Sequence, residues 1–406
     1  MHYLHDTLPN GLRIIHIPCD SSVSYCGFAV DCGSRDESSV QEGMAHFVEH
    51  MIFKGTARHR SSYIINRMES VGGELNAYTS KEETFVYSIF MEDNFIRACE
   101  LLCDLVLHSS FPTAEIQKET DVILDEISSY EDNPPELIFD VFENLLFAGH
   151  PLGHNILGTE ESLLSFSSLD GQEFLHRWYH PDNMIFFSSG RTDFKKIRRT
   201  LEKFFHAEFP AWKANSRTIP VSHQSFNTTQ KRETHQAHVL IGNRAYNMYD
   251  DSRSALALLT NIIGGPGMNS RLNLKLREKK GLVYNVEANY TPYTDTGVFS
   301  IYFGTDSQKT SNCIELVHNE LKRLRETALT ATQLEAAKKQ IRGQIGVSSD
   351  NRENIVMAMA KSFLHYNHYD STQEVFERIE RISSADILKA ANDIFDESSL
   401  SSLIYV

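Results

Sequence analysis

Two stretches of the chain match at a constant separation, and that match limits the folds open to it. Tyr78-Thr79 reappears 212 residues later as Tyr290-Thr291, and Ser88-Ile89 reappears as Ser300-Ile301. Each pair lies in alternating apolar runs, ELNAYT with ETFVYSIF in the first half and VEANYT with GVFSIYF in the second. Each copy therefore reads as two neighbouring strands. Helical runs follow the first copy: NFIRACELLCDLVLHS, EIQKETDVILDEISSYE and PPELIFDVFENLLF, the last opening on Pro134-Pro135. Before the second copy come the strand-like THQAHVLIG and two further helical runs, SRSALALLTNIIGG and SRLNLKLREKKG. The economical reading is an α+β chain of two homologous domains of similar size, each a mostly antiparallel sheet packed with helices. The expected boundaries are residues 1–208 for the first domain, 209–233 for a polar connection containing Pro210 and Pro220, and 234–406 for the second domain. A length of 406 residues agrees with more than one core.

The net charge of −15 argues against a nucleic-acid partner, which needs a basic surface. No apolar run reaches the roughly 18 residues of a membrane span, and the first residues lack the basic-then-apolar pattern of a signal peptide. A cytoplasmic protein without membrane insertion is expected. The six cysteines have no framework spacing, which suits a reducing compartment; Cys99 and Cys103, one helical turn apart, read as core packing. The Gly-rich IIGGPGMNS (262–270) lacks the Lys-Ser/Thr ending of a phosphate loop and reads as a helix end or loop.

The chemistry concentrates in GMAHFVEHMIFKGT (43–56). On a helix His46 and His50 share a face, with Glu49 beside them, and burying three polar groups so close together is costly unless something satisfies them. A metal ion would: H-x-x-E-H offers two imidazoles to one ion and sets a glutamate where it can take a proton from an attacking water. The 212-residue offset puts His50 on Ile262, and no ligand triplet stands there, so the second domain keeps the scaffold without the metal set. A third ligand is expected among the acids of EIQKETDVILDEISSY, namely Glu115, Glu119, Asp121, Asp125 and Glu126. Glu119 and Glu126 are seven residues apart and share a helix face, but spacing does not choose among the five.

Taken together, HFVEHMIFKGT, GGELNAYTSKEET, ETDVILDEISSYEDNP, HPLGHNILGTE (150–160) and HPDNMIFFSSG (180–190) resemble the pitrilysin and insulysin family of inverted-motif zinc peptidases. Chain length and layout are similar to the mitochondrial-processing-peptidase branch and its bacterial relatives. The resemblance implies one zinc ion per chain held by His46, His50 and Glu126, with Glu119 orienting a ligand from behind and Glu49 as general base. It implies that Arg277 and Tyr284, flanking Gly281, stand near the scissile carbonyl. It also makes Asn76 and Ala77 part of an edge strand beside the zinc that takes an extended peptide. The activity implied is endoproteolysis of short or unfolded peptides inside a chamber formed by two chains. A homodimer is the simplest assembly and a heterodimer with a related subunit the alternative. The competing reading is a non-catalytic scaffold or assembly subunit of the same fold; such relatives tend to lose the zinc set, which this chain retains.

Overall fold

The computed structural model describes every residue except 1, 207, 208, 210, 211, 213–216, 222 and 223. Part of the expected connection, 209–233, thus lies outside the described residues. Its far end does not behave as a linker, because Asn227–Gln230 is a strand.

Eleven strands form two sheets among the described residues. The first has the order β1-β2-β6-β3-β5-β4, where β1 is Leu4–Thr7, β2 Arg13–Pro18, β3 Val23–Val30, β4 Glu74–Thr79, β5 Thr84–Met91 and β6 Met184–Gly190. The second has the order β7-β11-β8-β10-β9, where β7 is Asn227–Gln230, β8 Ala237–Ala245, β9 Val283–Pro292, β10 Gly297–Thr305 and β11 Ser401–Tyr405. In each sheet one pair is parallel, β2 with β6 and β7 with β11, and the others are antiparallel. Strand for strand the second sheet repeats the first, apart from β1.

The repeat is one of topology, not of a fixed sequence offset. Ser88 pairs with Leu75, whereas Ser300 pairs with Asn289. Setting Ser88 on Ser300 therefore sets Leu75 on Asn289, an offset of 214 (289 − 75), and Tyr78 meets Pro292 instead of Tyr290. The identities at 212 cannot both be structural equivalents; the second hairpin is longer.

Two compact units result, and neither is a continuous stretch. The first comprises Met1–Ile127, His154–Arg217 and Ser349–Ser371; the second comprises Ser128–Gly153, Thr218–Ser348 and Thr372–Val406. This differs from the expected single cut between 208 and 234, and the reason is burial of both sheet faces. On one face of the first sheet, Ile14, Phe28 and Val86 pack with the helices Met44–Met51 and Phe95–His108, a core that includes Cys99 and Cys103. The opposite face, with Ile15, Ile17, Ala29 and Phe85, is covered by Val356, Met359 and Phe363 of the helix Arg352–Tyr366. In the second unit Leu240, Tyr302 and Leu403 are covered by Ile138, Phe142 and Leu146 of the helix Pro134–Leu146. Each half of the chain thus supplies one helix to the other unit. Strands apolar on both faces explain runs such as MIFF, which are continuous where a half-solvated strand would alternate.

A candidate metal centre in the first unit

The helix Met44–Met51 begins at Gly43, whose φ of 89° is left-handed. A Cβ there would meet Gly158 Cα and Leu157 O at 2.7 Å, so a side chain is excluded by both conformation and space. The amides at the start of this helix are not capped by a neighbour. Buried Glu37 reaches them instead, accepting from Gly43 N at 2.8 Å and Ala45 N at 2.7 Å. Burial pushes the Glu37 carboxyl up, against the amides of Ala45 and Gly43, which pull it down. Sequence reading missed this residue, since nothing local marks a cap six positions upstream.

His46 and His50 come together as the spacing requires, with ring centroids 4.6 Å apart. Glu126, on the helix Thr113–Glu131, places Oε2 3.8 Å from His46 Nε2 and 3.6 Å from His50 Nε2. One ligand atom from each of the three lies within 4.8 Å of the others, a set that could hold a metal ion. Burial, and then His50, lower the His46 pKa to about 3. Its ring is therefore neutral, the form that has a lone pair for a metal. Its Nδ1 is buried without a hydrogen-bond partner among the described residues. Two neutral-capable imidazoles and a carboxylate converging on one point are a donor set that fits zinc.

Glu119 stands behind His50. Its Oε2 is 3.2 Å from His50 Nδ1 and its Oε1 is 2.6 Å from Lys54 Nζ, so the carboxylate turns the other ring nitrogen towards Glu126. Lys54 was not singled out from the sequence; it lies beyond the end of the helix that carries His50. Of the other three acids, Glu115 pairs with Lys118 at 2.8 Å, and Asp121 and Asp125 are exposed. Val122 is about half exposed, so the face between Glu119 and Glu126 is buried only at Ile123. Burial raises the Glu49 pKa, Thr79 and His50 pull it down, and Glu126 pushes it up again.

Thr79 ends β4, the last strand of the first sheet, with β5 on one side and, among the described residues, no further strand on the other. Asn76 and Ala77 lie in this edge strand, paired with Tyr87 and Val86.

Arg277 and Tyr284 belong to the second unit. Arg277 sits in a π-helical segment, Asn273–Glu278, within the run that reads as helical in the sequence. Gly281, at φ +59°, reverses the chain, with its amide on Arg277 O at 2.9 Å. The guanidinium then lies 5.7 Å from the Tyr284 ring centre, at the start of the edge strand β9. Tyr284 is 81% exposed. The segment 262–270 is a helix end and loop, as expected, the helix Arg253–Gly264 stopping at Gly265. Among the described residues no metal-ligand group lies wholly within the second unit, and no helix is long and apolar enough to cross a membrane.

Known proteins resemble the chain over nearly its whole length. Residues 16–160 match the family profile described as Insulinase (Peptidase family M16), and residues 165–341 match the one described as Peptidase M16 inactive domain. An uncharacterized zinc protease of Bacillus subtilis, YmxG, is 31% identical over 98% of this chain and 97% of its own length. One of Rickettsia bellii is 33% identical over 98% of this chain and 96% of its own. Among solved structures, a protease from Helicobacter pylori superposes with a TM-score of 0.89 at 20% identity, over 100% of this chain and 99% of that one. A Pseudomonas fluorescens protein described as a peptidase M16 inactive domain gives 0.93 at 17% identity, over 100% and 98%. At such identities the superpositions speak for the fold, and it is the sequence relatives that fix the lineage: the chain belongs to the insulinase, or M16, family of peptidases.

Proposed function

We propose that this chain is a zinc endopeptidase of the processing-peptidase kind, holding one zinc ion per chain and cutting short or unfolded peptides. The observation that carries the reading is the convergence of one ligand atom each from His46, His50 and Glu126 within 4.8 Å. Zinc bound there would supply Lewis acidity, polarising a peptide carbonyl and lowering the pKa of a water. Glu49 takes the proton of the attacking water and delivers it to the leaving amine. Glu119 keeps His50 in the tautomer and orientation that present Nε2 to the ion. The unpaired side of β4 takes the substrate as an added strand through Asn76 and Ala77, recognising an extended backbone with little demand on sequence. That selects unfolded peptides over folded proteins.

Arg277 and Tyr284 serve the developing oxyanion, each donor contributing about 3 kcal/mol to the transition state. Their cation–π contact and the place of Arg277 in a π-helical segment support this role, since such segments recur at functional sites. Larger insulysin-like relatives resemble two such chains in tandem, so two copies close the chamber here, as a twofold homodimer in the simplest case. The pair then serves the zinc of the partner chain. The non-catalytic scaffold reading needs none of the metal set, and its retention in full favours the enzyme.

Metal analysis tests the ligand assignment directly. His50→Ala and Glu126→Gln should lose most of their zinc, while Glu49→Gln should keep it and lose turnover by roughly 10²- to 10⁴-fold. Full zinc in both ligand variants, or wild-type turnover in Glu49→Gln, refutes the mechanism.

A further inference from the structure

The turn between β4 and β5 is Ser80–Glu83, and it carries three charged residues in a row. Hairpin turns are ordinarily solvated, yet Lys81, Glu82 and Glu83 are all at most 6% exposed. Each is fastened to a different part of the chain. Lys81 Nζ donates to His154 O. Glu82 Oε1 lies 2.5 Å from Arg35 Nη1, and Arg217 Nη2 donates to the Glu82 carbonyl at 3.2 Å while also holding Asp31 and Asp36 at 2.8 Å. Glu83 Oε1 is 2.7 Å from His365 Nε2 and 3.0 Å from Lys361 Nζ, and its other oxygen accepts from Ser80 Oγ at 2.6 Å.

The partners are not scattered. The first unit consists of three separate stretches of chain: His154 opens the second, Arg217 closes it, and Lys361 and His365 lie in the third. All three stretches thus meet at this one turn. The turn also hydrogen-bonds the segment leading into the metal helix, Ser34 N to Ser80 O at 3.2 Å and Arg35 N to Lys81 O at 2.8 Å. A Cβ on Gly33 would stand 2.2 Å from Ser80 O, so the approach is as close as backbone allows. The residue before the turn, Thr79, is the last of β4.

Three buried charges are a poor way to gain stability, since well-packed apolar residues generally do as well or better. What directional ion pairs provide is a single position. We infer that the Ser80–Glu83 turn fixes the edge strand β4 for peptide binding, with Glu82, Glu83, Arg217 and His365 as positioning residues that touch neither metal nor substrate. An edge strand has one neighbour to hold it, and here the turn takes the place of the second. The inference rests on the peptide-strand reading of β4.

The test uses the full-length protein with Glu49→Gln, which should bind without cutting, and a fluorescent unstructured peptide. Adding Glu83→Gln or Arg217→Ala should weaken peptide binding roughly 10-fold, as loss of positioning groups does. Zinc content should stay unchanged. With Glu49 intact, the same changes should raise KM and leave kcat nearly untouched. Arg217→Lys should rescue only part, because an ammonium cannot fork between Asp31 and Asp36 as a guanidinium does. Lys361→Ala removes a half-exposed partner of Glu83 and keeps the fold; it should weaken binding about 2-fold. Unchanged peptide affinity in Arg217→Ala and Lys361→Ala, with the protein folded, overturns the positioning role and leaves the peptidase reading standing. A Glu49→Gln protein that holds no peptide at all overturns both.

Discussion

The two units have sheets of like strand order and differ in what their helices carry. In the first, the helix Met44–Met51 brings two histidines and a glutamate to the last strand, and a second helix adds Glu119 and Glu126. In the second, the helix Arg253–Gly264 has neither histidine nor carboxylate and keeps Leu258, Leu259 and Ile263 in the core. The same scaffold stands with the polar set and without it, so the apolar faces of strands and helices hold the fold, not the metal ligands. Buried polar groups are costly. The second unit buries polar groups of its own, Glu320 and Lys338 among them, but not this constellation, and it carries an exposed Arg–Tyr pair at its own edge strand.

The largest expected effect asks whether the two units serve one reaction. His50→Ala and Arg277→Ala should each be nearly inactive. Mixed at equal amounts and allowed to exchange subunits, they should recover towards about a quarter of wild-type turnover: half of the dimers are mixed, and each of those has one intact site of two. A mixture that stays inactive after proven exchange puts the pair in the same chain as its zinc, or outside catalysis.

Next comes the contact behind the metal. Glu119→Gln keeps the shape of the side chain and weakens its hold on both His50 and Lys54, and should lower zinc affinity or turnover by roughly 10- to 100-fold. An unchanged zinc affinity and turnover would make Glu119 a structural partner of Lys54 only.

The smallest effect separates the sheets by pH. His16, on β2, is 2.9 Å from Ser188 Oγ, and burial, against the weaker pull of Ser188 and Asp193, holds its pKa at about 4 in place of 6.5. Between those values the unfolded chain binds the extra proton, so the stability contribution is full above pH 6.5 and is lost as pH falls through 4. The loss amounts to about 3 kcal/mol. The second sheet has Phe226 beside Ser401 at the corresponding place and nothing there to titrate. Denaturant unfolding of wild type and His16→Phe between pH 7 and 4 checks this; equal slopes would refute it.

How much of this was legible in advance follows from how far apart the interacting residues lie. His46, Glu49 and His50 need only one helical turn to meet, so their spacing carried the geometry. Choosing Glu119 and Glu126 from five acids needed the family resemblance, because a helix shows its faces in sequence but not what each face meets. The duplication was legible as a pattern and misleading as a register, since two extra residues in the second hairpin shift every partner. The exchanged helices were invisible: Pro134–Leu146 and Arg352–Tyr366 read as ordinary amphipathic segments, and nothing local says whose sheet they cover. The cap from Glu37 and the buried Lys81-Glu82-Glu83 turn were hidden for the same reason.

What the sequence by itself determined is the local part: strands and helices from their periodicities, two imidazoles on one helical face, and a repeated α+β layout. Those depend on residues within a turn or a strand of one another. Tertiary structure alone decided which stretch covers each sheet and which charges become buried. Such choices are made by contacts between residues tens to hundreds of positions apart, whose energies depend on burial that no short window of sequence contains.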